Sequence, residues 1–266
     1  MIGLAGCGDA SRGSPQGAVS AATTAAPSTA TDFTELVDIG GGRHLSLSCV
    51  GDGSPTVLFE SGDESPGNQW GAVLVGVGAT TRACAYDRLG VGSSDEATGC
   101  RGMTQLQADF VALLRAADLK PPYVIAGTSG GGYLAAHFAM THPQDVRGLL
   151  VVDTFPAINA AKASPELRQE LKCTNSTNVE RRDYAAVEHA AWDHRKEIPG
   201  LAVTVISNRY EGITEGEEAT SVQGQRGWLV LNPKGRQVVV TSGHNIPGNE
   251  SGLVTDEVLA LVEAVR

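Results

Sequence analysis

Residues 123–140 read YVIAGTSGGGYLAAHFAM and fall into three segments. Residues 123–126 form a short apolar run that is typical of a buried strand. Residues 132–140 are rich in alanine and predict a helix. Between these segments, Gly127-Thr128-Ser129-Gly130-Gly131 matches the pattern G-x-S-x-G. We therefore predict a strand, a sharp turn and a helix, with Ser129 on the turn.

This turn has the chemistry of a nucleophile site. A serine on a strained strand-to-helix turn exposes its Oγ, and glycines two positions before and after it let the strand and helix approach each other. Ser129 also stands at a helix N-terminus, where backbone N–H groups favour a developing negative charge. A glycine turn that binds a phosphate, or that only packs tightly, is the alternative interpretation.

Short β-rich runs alternate with helical patterns from Thr34 onward. This alternation is typical of an α/β domain with a mostly parallel sheet. We predict eight strands, at residues 35–39, 44–49, 56–60, 81–86, 123–127, 148–152, 202–207 and 237–241. Residues 157–200 contain many charges of both signs and predict a helical cap between strands six and seven. Residues 32–266 are accordingly interpreted as one domain.

A second motif, at residues 87–94, reads DRLGVGSS and matches D-x-x-G-x-G-x-S. It is not a dinucleotide-binding fingerprint, because Asp95 stands where a third glycine is required. Together with the Ser129 turn, it makes the chain resemble an α/β-hydrolase from Thr34 to Arg266. The resemblance is to the small serine hydrolases common in actinobacteria. It implies a central, mostly parallel eight-stranded sheet flanked by helices.

The resemblance also implies a base and an acid for Ser129. His244 is expected to be the general base, because it follows the last predicted strand and precedes the last helix. The family usually places its acid after the seventh strand, where this chain reads Asn208-Arg209-Tyr210-Glu211. Asp153, at the end of the sixth strand, is the position that some members use. Asp153 is favoured as the acid, and Glu211 is the alternative.

Two backbone N–H groups are expected to form the oxyanion hole. One belongs to Gly130, directly after the nucleophile. The other belongs, by position, to Asp63 in the loop after the third strand, where Ser61 replaces the histidine of many relatives. The Asp63 carboxylate is expected to point away from the oxyanion, because two negative charges repel each other.

These residues predict a serine hydrolase that cleaves a small carboxylic ester through an acyl-enzyme. Such a mechanism requires no metal or organic cofactor. The alternative is a non-catalytic protein of the same fold that binds a ligand or takes part in cell-envelope interactions. Loss of a triad member would mark that alternative, and Ser129 and His244 are both present.

The composition limits the possible partners. The 266 residues carry a formal net charge of −10, and no basic run is present to follow a phosphate backbone. Nucleic acid is therefore not an expected partner. No apolar stretch approaches the roughly 20 residues that span a bilayer. Membrane association is expected only through a lipid anchor, and the oligomeric state is left open.

The N-terminal segment suggests such an anchor. Leu4-Ala5-Gly6-Cys7 resembles a bacterial lipobox, which makes Cys7 a candidate for lipidation. Only six residues precede Cys7, fewer than a signal peptide requires. The following residues to position 31 are mostly Ala, Gly, Ser, Thr and Pro, which predicts a flexible tether. The expected location is extracytoplasmic, either lipid-anchored or secreted.

Four cysteines remain after Cys7, an even number that suits an exported protein with disulfides. Four free thiols in the core are the alternative. No C-x-x-C spacing is present, so a zinc site is not predicted. In the fold of the family the second and fourth strands are neighbours, which implies a Cys49–Cys84 bridge. Cys100 would then pair with Cys173 and hold the cap.

Overall fold

A computed structural model describes residues 32–157, 164–210, 212 and 215–266, with the backbone alone for 215–220. Cys7 and the predicted tether at 1–31 lie outside the described residues, as does Glu211. Part of the predicted cap, residues 158–163, also lies outside them.

Eight strands alternate with helices in the described chain, as the sequence predicts. The strands are β1 Phe33–Asp38, β2 His44–Val50, β3 Thr56–Glu60, β4 Ala83–Tyr86, β5 Tyr123–Thr128, β6 Val146–Val152, β7 Ala202–Asn208 and β8 Arg236–Val240. The helices are α1 Gly71–Gly78, α2 Met103–Ala116, α3 Gly130–Thr141, α4 Pro165–Glu170, α5 Tyr184–Trp192, α6 Glu215–Arg226, α7 Ile246–Asn249 and α8 Ser251–Val265. Two short 3-10 helices cover Gly67–Trp70 and Gly227–Leu231.

All eight strands form one sheet in the order β1-β2-β4-β3-β5-β6-β7-β8. Strands β1, β2 and β4 pair antiparallel, and the other pairs are parallel. After β3 the chain continues to β4, on the β1 side of the sheet, whereas after β5 it continues to β6, on the β8 side. Ligand sites in such sheets lie where the direction reverses, beyond the carboxyl ends of the strands. The loops after β3 and β5 meet at this point.

Helices cover both faces of the central strands, which explains why these strands are continuous apolar runs. One core contains Phe110 of α2 and Phe138 of α3, packed edge to face with 5.0 Å between ring centroids. The other core contains Val73 of α1 and Val258 of α8. Within the described ranges, no helix is both long enough and apolar enough to cross a membrane.

Both predicted disulfides are present. Cys49 of β2 and Cys84 of β4 are direct partners in the antiparallel register, with Cα atoms 4.1 Å apart. Cys100 joins Cys173, with 5.2 Å between the Cα atoms. Cys173 lies in the predicted cap, between α4 and α5. The second bridge therefore ties the cap to the loop before α2.

Candidate active site

Ser129 lies on a strained turn between β5 and α3. Its φ of 51° is in the left-handed region, which non-glycine residues rarely adopt. Its N–H donates to the Val152 carbonyl at 2.9 Å, which anchors the turn to β6. A Cβ on Gly127 would lie 2.4 Å from the Gly131 carbonyl oxygen, closer than atoms can approach. The glycines of the motif are therefore required for strand and helix to meet.

His244 contacts the nucleophile directly. Its Nε2 lies 2.9 Å from the Oγ of Ser129, within hydrogen-bonding distance. The loop that carries it is held by the side-chain carbonyl of Asn208, which accepts the N–H groups of Ser242 at 3.0 Å and Gly243 at 2.9 Å. The histidine side chain is 51% exposed, so the site is open to solvent.

Asp153 follows β6 and lies on the other side of the imidazole. Its Oδ2 is 2.7 Å from His244 Nδ1, and its side chain is completely buried. Its other oxygen, Oδ1, accepts the Asn208 N–H at 3.2 Å and the Gln225 Nε2–H at 2.8 Å. The structure thus places Ser129, His244 and Asp153 in one hydrogen-bonded series. Glu211, the alternative acid, lies outside the described residues.

Sequence reasoning missed two side chains around this acid. The Tyr210 hydroxyl donates to Asp153 Oδ2 and lies 3.2 Å from His244 Nδ1. Gln225, from α6, is fully buried and donates to the other carboxylate oxygen. Tyr210 could have been noticed, because it stands in the loop after β7 where the family usually places its acid. No local pattern marks Gln225.

The hydrogen bond with Asp153 raises the pKa of His244 above its usual value of 6.5. Burial opposes this effect, and the negative charges of Asp153 and Asp63 add to it. An imidazole with a raised pKa is a stronger base. The group beside Ser129 is therefore suited to accept a proton and return it.

The two expected oxyanion donors come from adjacent loops. A Cβ on Gly62 would lie 3.4 Å from the Ser129 Cβ, so the loop after β3 packs against the nucleophile. Among the described residues, the N–H groups of Asp63 and Gly130 have no hydrogen-bond acceptor. The Asp63 carboxylate lies against Gly130, where Arg182 pairs with it.

Metal ligands are not clustered at this site. Within the part of the chain that the structure describes, no group of three or more His, Cys, Asp or Glu side chains could hold a metal ion.

Comparison with known proteins identifies the fold. The family model for the α/β-hydrolase fold matches residues 64–188, a range that contains Ser129 and Asp153. A thermophilic esterase from Thermogutta terrifontis superposes with a TM-score of 0.65 at 19% identity, over 89% of this chain and all of that one. The chain has the α/β-hydrolase fold.

Two curated proteins illustrate what this chain is similar to. The uncharacterized protein YqjL of Bacillus subtilis is 23% identical over 77% of this chain and 82% of its own length. The putative carbamate hydrolase RutD of Azorhizobium caulinodans is 29% identical, but the match covers 43% of this chain and 42% of RutD. Fold and relatives together support a hydrolase activity in general terms.

Proposed function

We propose that this α/β-hydrolase is a serine hydrolase that cleaves carboxylic esters through an acyl-enzyme. The series of hydrogen bonds from Ser129 through His244 to Asp153 carries the proposal. The base is thereby within hydrogen-bonding distance of the nucleophile on one side and of the orienting acid on the other, as this chemistry requires. Two of the relatives, an esterase and a carbamate hydrolase, bear names that fit hydrolysis at a carbonyl carbon.

In the first half-reaction, the Ser129 Oγ attacks the ester carbonyl carbon while His244 Nε2 takes the hydroxyl proton. The carbonyl oxygen becomes an oxyanion, which the N–H groups of Gly130 and Asp63 stabilise. The intermediate then collapses and expels the alcohol, which receives the proton from His244. Asp153 accepts the Nδ1–H throughout and stabilises the imidazolium form.

In the second half-reaction, His244 takes a proton from water, and the resulting hydroxide attacks the acyl carbon on Ser129. Collapse of the second tetrahedral intermediate releases the carboxylic acid and returns the proton to the Ser129 Oγ. The same oxyanion donors serve both steps, since the negative charge develops on the same oxygen. No cofactor takes part in this sequence.

Labelling with a fluorophosphonate probe tests the proposal. We expect wild type to be labelled and Ser129→Ala to be unlabelled, because the probe reacts only with an activated serine. Ser251→Ala, at the start of α8, is the matched control and should be labelled like wild type. A panel of p-nitrophenyl esters of increasing acyl length then measures the substrate preference. Absent labelling in wild type would favour a non-catalytic ligand-binding protein.

We also propose that the protein works outside the cytoplasm. Two disulfides in a chain of this size support that location, since reducing compartments keep thiols free. Intact-mass measurement after alkylation without reductant tests both bridges, and four alkylated thiols would contradict them. The proposed lipid on Cys7 is tested in the same way, after expression with upstream sequence. An unmodified Cys7 would contradict an anchor.

A further inference from the structure

A segment of the cap reaches the loop that follows β3. This cap segment, residues 178–183, lies just before α5 and runs beside Arg101, the residue after Cys100. The Arg101 N–H donates to the Arg181 carbonyl at 2.8 Å, and the Asp183 N–H donates to the Arg101 carbonyl at 3.0 Å. With the Cys100–Cys173 bridge close by, the backbone of the cap segment is fixed to the main domain.

Arg182 projects from the cap segment into the interior, and its side chain is completely buried. Its Nη1 donates to the Asp63 carboxylate, and its Nη2 donates to the Gly130 carbonyl at 3.0 Å. The guanidinium also lies over the Tyr184 ring, 5.5 Å from the centroid. One cation thus contacts both residues whose N–H groups are the oxyanion donors.

A second buried ion pair supports the same loop. Arg88 donates to the Ser61 carbonyl at 2.8 Å and to the Gly62 carbonyl at 2.6 Å, while its Nε pairs with Glu180 at 2.7 Å. Glu180, from the cap segment, accepts the Glu64 N–H at 2.5 Å. Hydrogen bonds therefore hold the loop on both sides of Asp63 and leave the Asp63 N–H without an acceptor among the described residues.

The position of Asp63 creates an electrostatic problem for an oxyanion. A carboxylate that lies against Gly130 would repel the negative charge that develops on the substrate oxygen. The Arg182 guanidinium, on the same carboxylate, compensates for that charge. Stability alone is a poor explanation for this arrangement, because ion pairs often contribute little net stability, whether they are buried or, like Asp63, partly exposed. Among the described residues, the Nε of Arg182 also has no hydrogen-bond partner.

We propose that Arg182 is a positioning residue of the oxyanion hole, which fixes Asp63 relative to Gly130 and neutralises the Asp63 carboxylate. Because Arg182 is fully buried, it acts through these two residues and does not contact the substrate. The inference rests on the proposed serine hydrolase function. It predicts that the cap contributes to transition-state stabilisation.

Steady-state kinetics on p-nitrophenyl acetate test this role. In Arg182→Met we expect kcat to fall by about 10²-fold, the scale of losing one oxyanion donor, with KM changed less than about threefold. Adding Asp63→Asn to Arg182→Met should raise kcat by about tenfold or more. The second substitution removes the uncompensated carboxylate and keeps the backbone N–H of residue 63. Arg168→Met, on the exposed surface of α4, is the matched control and should behave like wild type.

Because Asp63→Asn also relieves any loss of folding caused by the uncompensated charge, kcat is compared per folded protein, with the folded fraction measured by circular dichroism. Should Arg182→Met not fold by circular dichroism, Arg182→Lys takes its place. A lysine ammonium lacks the planar fork that reaches both oxygens, so kcat should again fall at constant KM. Unchanged kcat in either variant, or a double variant no more active than Arg182→Met, would overturn the inference. An inactive wild type would instead refute the hydrolase proposal itself.

Discussion

Asp153→Asn tests the acid of the series most directly, because the surrounding donors determine how the new amide lies. In the wild type, Asp153 Oδ1 accepts the Asn208 N–H and the Gln225 amide, whereas Oδ2 faces His244 Nδ1. An asparagine must place its only oxygen at the Oδ1 position to satisfy those two buried donors. Its NH₂ group then points at the imidazole.

That orientation forces the wrong tautomer on His244. An N–H donor facing Nδ1 requires Nδ1 to be the acceptor, so the ring proton moves to Nε2, the atom that faces Ser129. The base can then no longer take the hydroxyl proton. We expect kcat to fall by roughly 10⁴-fold, which corresponds to about 5 kcal/mol in the activation free energy. Folding should be retained, because the Tyr210 hydroxyl can accept a hydrogen bond from the new NH₂ group.

The assay is p-nitrophenyl acetate hydrolysis, with near-UV circular dichroism to check packing. In the wild type the acid limb of the pH profile of kcat/KM should lie above pH 6.5, because Asp153 raises the pKa of His244. In Asp153→Asn any residual activity should have this limb at lower pH. Glu211→Gln is the matched control. A folded Asp153→Asn variant within tenfold of wild type would refute the reasoning, and a large loss in Glu211→Gln would transfer the role to that residue.

Three further outcomes are expected. Tyr210→Phe should lower kcat by about tenfold or less and move the acid limb of the pH profile to higher pH. The reason is that the Asp153 carboxylate, without the hydrogen bond from the Tyr210 hydroxyl, stabilises the His244 imidazolium more strongly. An acid limb at the wild-type pH would contradict this. Burial raises the pKa of Glu60 from 4.5 to about 7, so the folded protein retains a proton there that the unfolded chain loses. Wild type should therefore lose stability relative to Glu60→Gln as pH rises from 4.5 to 7, measured as Tm, and parallel Tm curves would refute it. Replacing Cys100 and Cys173 by serine should lower both Tm and kcat, because this bridge holds the cap segment that carries Arg182. Replacing Cys49 and Cys84 by serine should lower Tm alone. Equal kcat in the two variants would contradict a link between the Cys100–Cys173 bridge and Arg182.

The elements that sequence predicted well are those with a strong local signal. Strands such as β5 and β6 are buried apolar runs bounded by turn residues, and their predicted limits agree with the structure to within two residues. The turn at Ser129 and the loop that carries His244 were identified for the same reason, since each directly follows a recognisable strand. Strand β4 begins at Ala83 and not at Thr81, because Thr81 lies in the bend after α1 and its N–H donates to the Val77 carbonyl at 3.1 Å.

The parts that sequence did not predict depend on contacts between distant positions. Arg182 and Asp63 are 119 residues apart, and Gln225 and Asp153 are 72 apart. No periodicity or short motif carries such information, and an arginine in a charge-rich cap resembles any solvated residue. The Asp63 carboxylate is an example: sequence reasoning considered it alone, whereas the structure supplies a buried cation for it.

The choice of Asp153 as acid also explains what the end of β7 does. Strand β7 lies between β6 and β8, so the strands that lead to Asp153 and His244 are two strand spacings apart, about 10 Å. The loop after β8 must therefore cross the end of β7 to bring Nδ1 within 2.7 Å of the carboxylate. Asn208, the last residue of β7, makes this crossing possible: its N–H donates to Asp153, and its side-chain carbonyl accepts two N–H groups beside His244. The strand end at which the hydrolases that this chain resembles usually carry the acid here carries Asn208, which joins the proposed acid to the proposed base.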